Sequence, residues 1–364
     1  MTKRARTNST TTWISSVCFA GALLLSTEVQ AFDIRTGLSD GCHEEVTVTA
    51  LEAYLENAGF QDSPVPLPKT DRWKKYAGVL LEGHSMTLDS EGDRFASFSL
   101  ILGARWPDEK GNSVTSFEAL YANHGNPDDQ YQHFLRSPHN DYEIGNVEAL
   151  EAARGFIVSR MQIVESYLAK PPSEQFVEIQ EYVEFYGPIF FEVWAPAYYT
   201  GAALHSLEDS FSHTIRSDDL RRVLHVMNFF DAVGDHYLEH RDGLAHSYAM
   251  DECRGSGRPH SIAAEEAATQ LLGYFHVRTD DYLMKVLDDW LTYEPGCNDE
   301  NNYCDSRWVE IARQDPTVPI FQSAFHCSLV QGVLENDTTF PFGIFAALLW
   351  LLLRRKSHDN APSR

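Results

Sequence analysis

Cysteine is sparse in this 364-residue chain, and no two of its six cysteines stand at CxxC spacing, which makes them poor zinc ligands and better candidates for structural bridges. Cations are also short, with 29 Lys and Arg against 53 Asp and Glu and a net charge of −24. Such a surface repels nucleic-acid backbones and anionic bilayers at long range, although divalent ions held at a site reverse the sign locally. No internal repeat or low-complexity tract is present, and alternating strand patterns are weak throughout. No apolar run reaches the ~17 residues that a bilayer-spanning helix needs.

What is present describes a folded, exported protein. A composition that is 43% hydrophobic and 23% charged supports a real core and excludes a disordered chain. Lys3, Arg4 and Arg6 precede an apolar run from Trp13 to Leu25, and Val29-Gln30-Ala31 follows. This is the layout of a signal peptide over 1–31, with cleavage after Ala31 leaving Phe32 first. The main domain is then expected over 32–335. At the other end, Phe340 to Leu353 carries no charge and is followed by Arg354, Arg355 and Lys356. An apolar segment with a basic stop over 336–364 is expected to act as a membrane anchor or sorting signal, placing the protein in the periplasm or at the cell surface. Export makes disulfides the default, with Cys297 and Cys304 the easiest pair.

Helical periodicity dominates the mature chain. Val46, Leu51, Tyr54 and Leu55 fall near one face of a helix over 43–55, and Val147, Leu150, Ile157, Met161, Val164 and Leu168 continue the spacing in a longer one. Further helices are expected at about 175–186, 197–213, 217–240, 260–276, 278–292 and 318–333. Between about 84 and 140 the richness in Gly, Asp, Asn and Pro predicts long irregular connections.

The stretch from Gly201 to His213 carries the chemistry. His205, Asp209 and His213 recur every four residues, so on a helix they stack along one face. Imidazole and carboxylate in that register suit one borderline metal ion or two neighbouring ones. A second group follows: His225, His236, His240 and His246, with Asp231, Asp235, Glu239 and Asp251 between and after them. His236 and His240 are again four apart. His225 lies on an apolar segment and reads equally as a core residue, and His246 stands past Gly243 as an alternate ligand.

With Cys42-His43-Glu44-Glu45, Trp106-Pro107-Asp108 and His133-Phe134, the His205-to-His213 helix resembles the zinc-dependent phospholipase C and single-strand-specific zinc nuclease superfamily. The resemblance rests on short motifs in the same order along most of the mature chain. It implies an all-α, multi-helical bundle with long loops, holding about two to three zinc ions. It also implies as ligands Phe32 through its amine and carbonyl, His43, Asp108, His133, His205, Asp209 and His213, with His236 the best remaining match. A loop carboxylate, here Asp108, doubles as general base. The sequence departs from the pattern in three places: Phe32 stands for Trp, the Asp209-to-His213 spacing is tighter, and His236 is followed by His240 in place of a carboxylate. The implied activity is phosphodiester hydrolysis, with phospholipid as the first substrate class. A nuclease or nucleotidase on the same scaffold and a non-catalytic zinc-stabilised surface protein are the alternatives.

Overall fold

A computed structural model describes residues 41–57, 60, 65–80, 90–112, 126–137, 139–183, 186–228, 237–253 and 258–314. The expected signal peptide, Phe32, His236, the helix expected over 318–333, Cys327 and the C-terminal apolar segment lie outside them. Among the described residues no helix is long and apolar enough to cross a membrane.

Helices dominate, in the order α1 (Cys42–Asn57), α2 (Arg72–Leu80), α3 (Glu91–Glu109), α4 (Tyr142–Leu168), α5 (Ala195–Ser212), α6 (Glu239–Asp242), α7 (Tyr248–Asp251), α8 (Arg258–Leu272), α9 (Tyr274–Val277), α10 (Asp280–Trp290), α11 (Asn302–Asp305) and α12 (Trp308–Ala312). Two small sheets join them, so the expectation of an all-α protein is corrected to a mainly helical one. Strands β1 (Phe176–Val183) and β2 (Gly187–Trp194) form an antiparallel hairpin, and β3 (Thr214–Arg216), β4 (Arg222–Val226) and β5 (Thr292–Tyr293) form a second sheet in that order.

Helix α5 is the axis of the molecule: nearly every residue of it is buried, and α3, α4 and α8 pack around it. Its approach to α3 requires glycine on both sides. A Cβ at Gly103 would fall 1.9 Å from the Tyr198 carbonyl oxygen, and one at Gly201 would fall 1.9 Å from that of Leu100. Only hydrogen atoms fit at such a crossing. Helix α3 begins with the Ser90 hydroxyl accepting from the Asp93 N–H at 2.9 Å and stops with Lys110 in the left-handed region at φ 44°, so its last turn ends at the cluster described below.

Three sequence expectations change. Residues 175–186 contain β1 in place of a helix. Ile179, Glu181 and Val183 point inward, and the charged Glu181 at an inward position hides the alternation that would announce a strand. Part of 217–240 is β4, whose β-branched and apolar residues suit a buried strand. Within the supposedly irregular 84–140, α3 is a 19-residue helix; its Gly, Ser and Asp residues serve close packing and capping, not loops.

Candidate metal centre

Eight side chains from five segments meet at the buried end of α5. His205 and Asp209 lie on α5 itself, and His213 is the residue that caps its C-terminus. His43 comes from the first turn of α1 and Asp108 from the last turn of α3. Asp108 is thus helical, not the loop residue expected. His133 closes a 3-10 turn, Pro127–His133, after which Phe134 turns left-handed at φ 49°. His246 and Asp251 come from the segment that leads into and through α7. His43, His133, His205, Asp209 and His213 have no exposure, and Asp108, His246 and Asp251 nearly none.

These residues form three groups, each compact enough to hold a metal ion: His43 with Asp108 and His205, His133 with His205 and Asp209, and His213 with His246 and Asp251. Asp209 is the hub. Its carboxylate oxygens lie 3.0 Å from His205 Nε2, 3.2 Å from His43 Nε2, 3.4 Å from His133 Nδ1 and 3.9 Å from His213 Nδ1. Asp108 Oδ1 is 3.5 Å from His133 Nδ1 and 3.6 Å from His205 Nε2. In the third group Asp251 is 2.9 Å from His246 Nε2 and 3.6 Å from His213 Nε2.

The outer contacts orient the rings. His205 Nδ1 donates to the Ala104 carbonyl at 2.7 Å, His43 Nδ1 to Glu208 at 2.7 Å, and His213 Nδ1 to the His133 carbonyl. Carbonyl and carboxylate oxygens only accept, so each Nδ1 carries the proton and each Nε2 lone pair turns toward the carboxylates. Glu208 is itself fixed by Thr47 Oγ1, which donates to it at 2.8 Å. Imidazoles anchored on the outer nitrogen, with the inner one converging on buried carboxylates, fit the donor set of a borderline divalent ion.

Electrostatics follow from this packing. Burial works against charge on His43, but Asp209 and Glu208 outweigh it and raise its pKa well above the usual imidazole value. Burial pushes Asp108 up to about 6 against the pull of His205 and His43, and pushes His133 down to about 4 with His205 adding to the effect. Asp209 is held well below the ordinary carboxylate range, because His205, His213 and His43 together overcome the cost of its burial.

Behind the centre lies a buried ionic cluster. Arg105, one turn before Asp108, donates to Glu181 at 3.1 Å and to Glu44 and Glu109, so it ties β1 to the neighbours of His43 and Asp108.

Of the residues singled out in the sequence, His43, Asp108, His133, His205, Asp209, His213 and His246 converge. His240 does not: on the short α6 it is mostly exposed, with Nδ1 3.1 Å from Asp299. His225 is buried and its Nε2 accepts the Leu244 N–H at 3.2 Å, a core role. Sequence reading passed over Asp251 as a ligand, because five residues from His246 is not a helical register and only the chain's turn into α7 aligns the two. Bridges Cys297–Cys304 and Cys42–Cys253 are formed; nothing local foretells the second, although its cysteines adjoin His43 and lie two residues past Asp251.

No protein-family model, curated protein or solved structure matches this chain.

Proposed function

We propose that this chain is a zinc-dependent phosphodiester hydrolase of the phospholipase C type, with phospholipid as substrate. What supports it is one observation: residues 43, 108, 133, 205, 209 and 213, picked out by motif alone, come together as a single buried set, and His246 with Asp251 extends it. A phosphodiester resists attack because the incoming oxygen meets an anionic centre, and bound zinc supplies the Lewis-acid charge that offsets this. Neutral imidazoles, anchored through Nδ1 at His43, His205 and His213, would hold the metal without cancelling its charge. His205 belongs to two of the three groups, and Asp209, beside it on α5, also reaches His43 at 3.2 Å. Asp108, whose Oδ1 lies 3.5 Å from His133 Nδ1 and 3.6 Å from His205 Nε2, would accept the proton of an attacking water. Thr47 and Glu208 keep the His43 ring from rotating.

The purified mature protein is expected to contain about two to three zinc ions and to release phosphorylated head group from a choline phospholipid, with activity lost to a chelator. A His205→Ala variant should retain little metal. Cleavage of single-stranded DNA without lipid hydrolysis would redirect the assignment to a nuclease, and absence of zinc from the wild type would remove it.

A further inference from the structure

Arg160 on α4 is a half-buried guanidinium held by aromatic rings in place of oxygens. Its Cζ lies 4.6 Å from the centre of the Phe156 ring and 5.9 Å from those of Trp106 and Tyr199. Its Nε is buried without a hydrogen-bond partner, and its solvent-reaching terminal nitrogens make no hydrogen bond or ion pair among the described residues. By contrast, Arg105, Arg136, Arg154 and Arg216 each donate to several oxygens. The nearby acids are engaged elsewhere. Glu181, which acts on Tyr198 with the opposite sign to Arg160, is held by Arg105, and Glu165, further along α4, pairs with Arg278. In a chain with 53 Asp and Glu, a guanidinium left without a carboxylate has a chemical meaning. Ring faces attract the cation and fix its plane, but they cannot serve its in-plane N–H groups, which form a fork matched to an oxyanion. A fork already held in place loses little freedom when an anion arrives.

The rings around Arg160 stand on the segments that deliver the metal centre. Trp106 precedes Asp108 by two residues on α3, and Tyr131 precedes His133 by two in the 3-10 turn. The Tyr131 ring meets Phe156 at 5.5 Å, and its carbonyl accepts the hydroxyl of Ser206, next to His205, at 3.2 Å. Arg160 nevertheless forms no hydrogen bond or ion pair with any of the eight side chains of the centre. An anion on its fork is therefore a neighbour of the group held at the centre, not the same group.

We propose that Arg160 is an anion subsite beside the metal centre and binds a second phosphate carried by the substrate; its use in catalysis rests on the hydrolase reading above. On that reading the scissile phosphodiester lies at the centre, and the guanidinium takes a phosphate of the head group through paired N–H donors. The substrate class this selects is a phospholipid whose head group is itself phosphorylated.

The test uses the full chain with 15N-labelled arginine. The Arg160 Nε–H resonance, assigned by its loss in Arg160→Lys, is expected to shift and saturate as glycerol 3-phosphate is added. Phosphate bound at the metal centre alone would leave it in place. Activity is then compared on soluble short-chain phosphatidylinositol with and without a 4-phosphate. Wild type should favour the phosphorylated form in kcat/KM, and Arg160→Met, which fills the space between the rings without charge or donors, should lower that ratio about 10-fold. Arg160→Lys, with charge but no fork, should lower it less. An unresponsive Arg160 resonance, or an Arg160→Met ratio equal to that of wild type, would overturn the subsite. If Arg160→Met fails to fold, the wild-type titration and the Arg160→Lys ratio decide. A saturating shift at Arg160 in a protein that cleaves neither lipid would sink the hydrolase reading and keep the anion subsite.

Discussion

Arg105 is a fully buried cation facing three buried carboxylates. Burial disfavours its charge, but Glu109, Glu44 and Glu181 hold the guanidinium protonated, while Glu109 is itself raised well above the carboxylate range by burial. Removing one partner of such a cluster leaves the others uncompensated. Arg105→Met is accordingly expected to cost about 3–5 kcal/mol in denaturant unfolding and to lower metal content through displaced His43 and Asp108. An unfolding midpoint equal to wild type would show that the cluster adds no stability. His260 makes a different kind of prediction. Neither of its ring nitrogens has a hydrogen-bond partner among the described residues; it packs on Trp308 at 4.3 Å, and burial, with Arg216 and Arg307 nearby, pushes its pKa from 6.5 down to about 3. Between those values the unfolded chain takes up a proton that the folded chain refuses, so this group makes stability fall as pH drops through the window. His260→Phe should flatten that acid limb by a few kcal/mol at most, measured as the difference in unfolding free energy between neutral pH and about pH 4.5. An unchanged slope would mean that His260 titrates normally. At this scale the sequence was informative wherever ligand types recur at helical spacing, as at His205 and Asp209. It was silent on Asp251, whose alignment with His246 depends on a turn.

Between elements, the contact of α3 with α5 sets the distance from Asp108 to His205. Gly103 lies five residues before Asp108 and Gly201 four before His205, so a change at the crossing is felt one turn on. Gly103→Ala must move a backbone carbonyl and is expected to cost about 3 kcal/mol or more, with lower metal content if the three groups hold metal. Gly155→Ala, on an exposed part of α4 where a Cβ meets nothing within 4 Å, should stabilise by about 0.5–1 kcal/mol. Thermal melts of the pair separate a packing constraint from helix propensity; equal effects would refute the close-approach account. Most helices were legible because an apolar stripe announces them, as in α4 and α10. Helix α3 was not, since the small residues that let it touch α5 imitate a loop. Strand β1 was not, since its inward Glu181 interrupts the alternation.

Across the whole molecule, Cys42 and Cys253 join residues 211 apart and bring the start of α1 beside the end of α7, where Cys42 Sγ also lies 3.3 Å from the Asp251 carbonyl. The bridge thus braces His43 and Asp251, ligand candidates far apart in sequence. Replacing both cysteines by serine is expected to lower stability by about 2–4 kcal/mol and, on the proposed reading, to weaken metal retention most in the His213, His246 and Asp251 group, read by metal release to a chromogenic chelator. Release kinetics matching wild type would confine the bridge to stability. Composition alone foresaw a large core and oxidised cysteines, but this pairing is a property of the closed fold and leaves no mark in local sequence. The same bond makes a covalent ring of everything from α1 to α7. A protease that cuts once inside the ring therefore releases no fragment, and the nicked protein migrates as one species on a gel until a reducing agent is added.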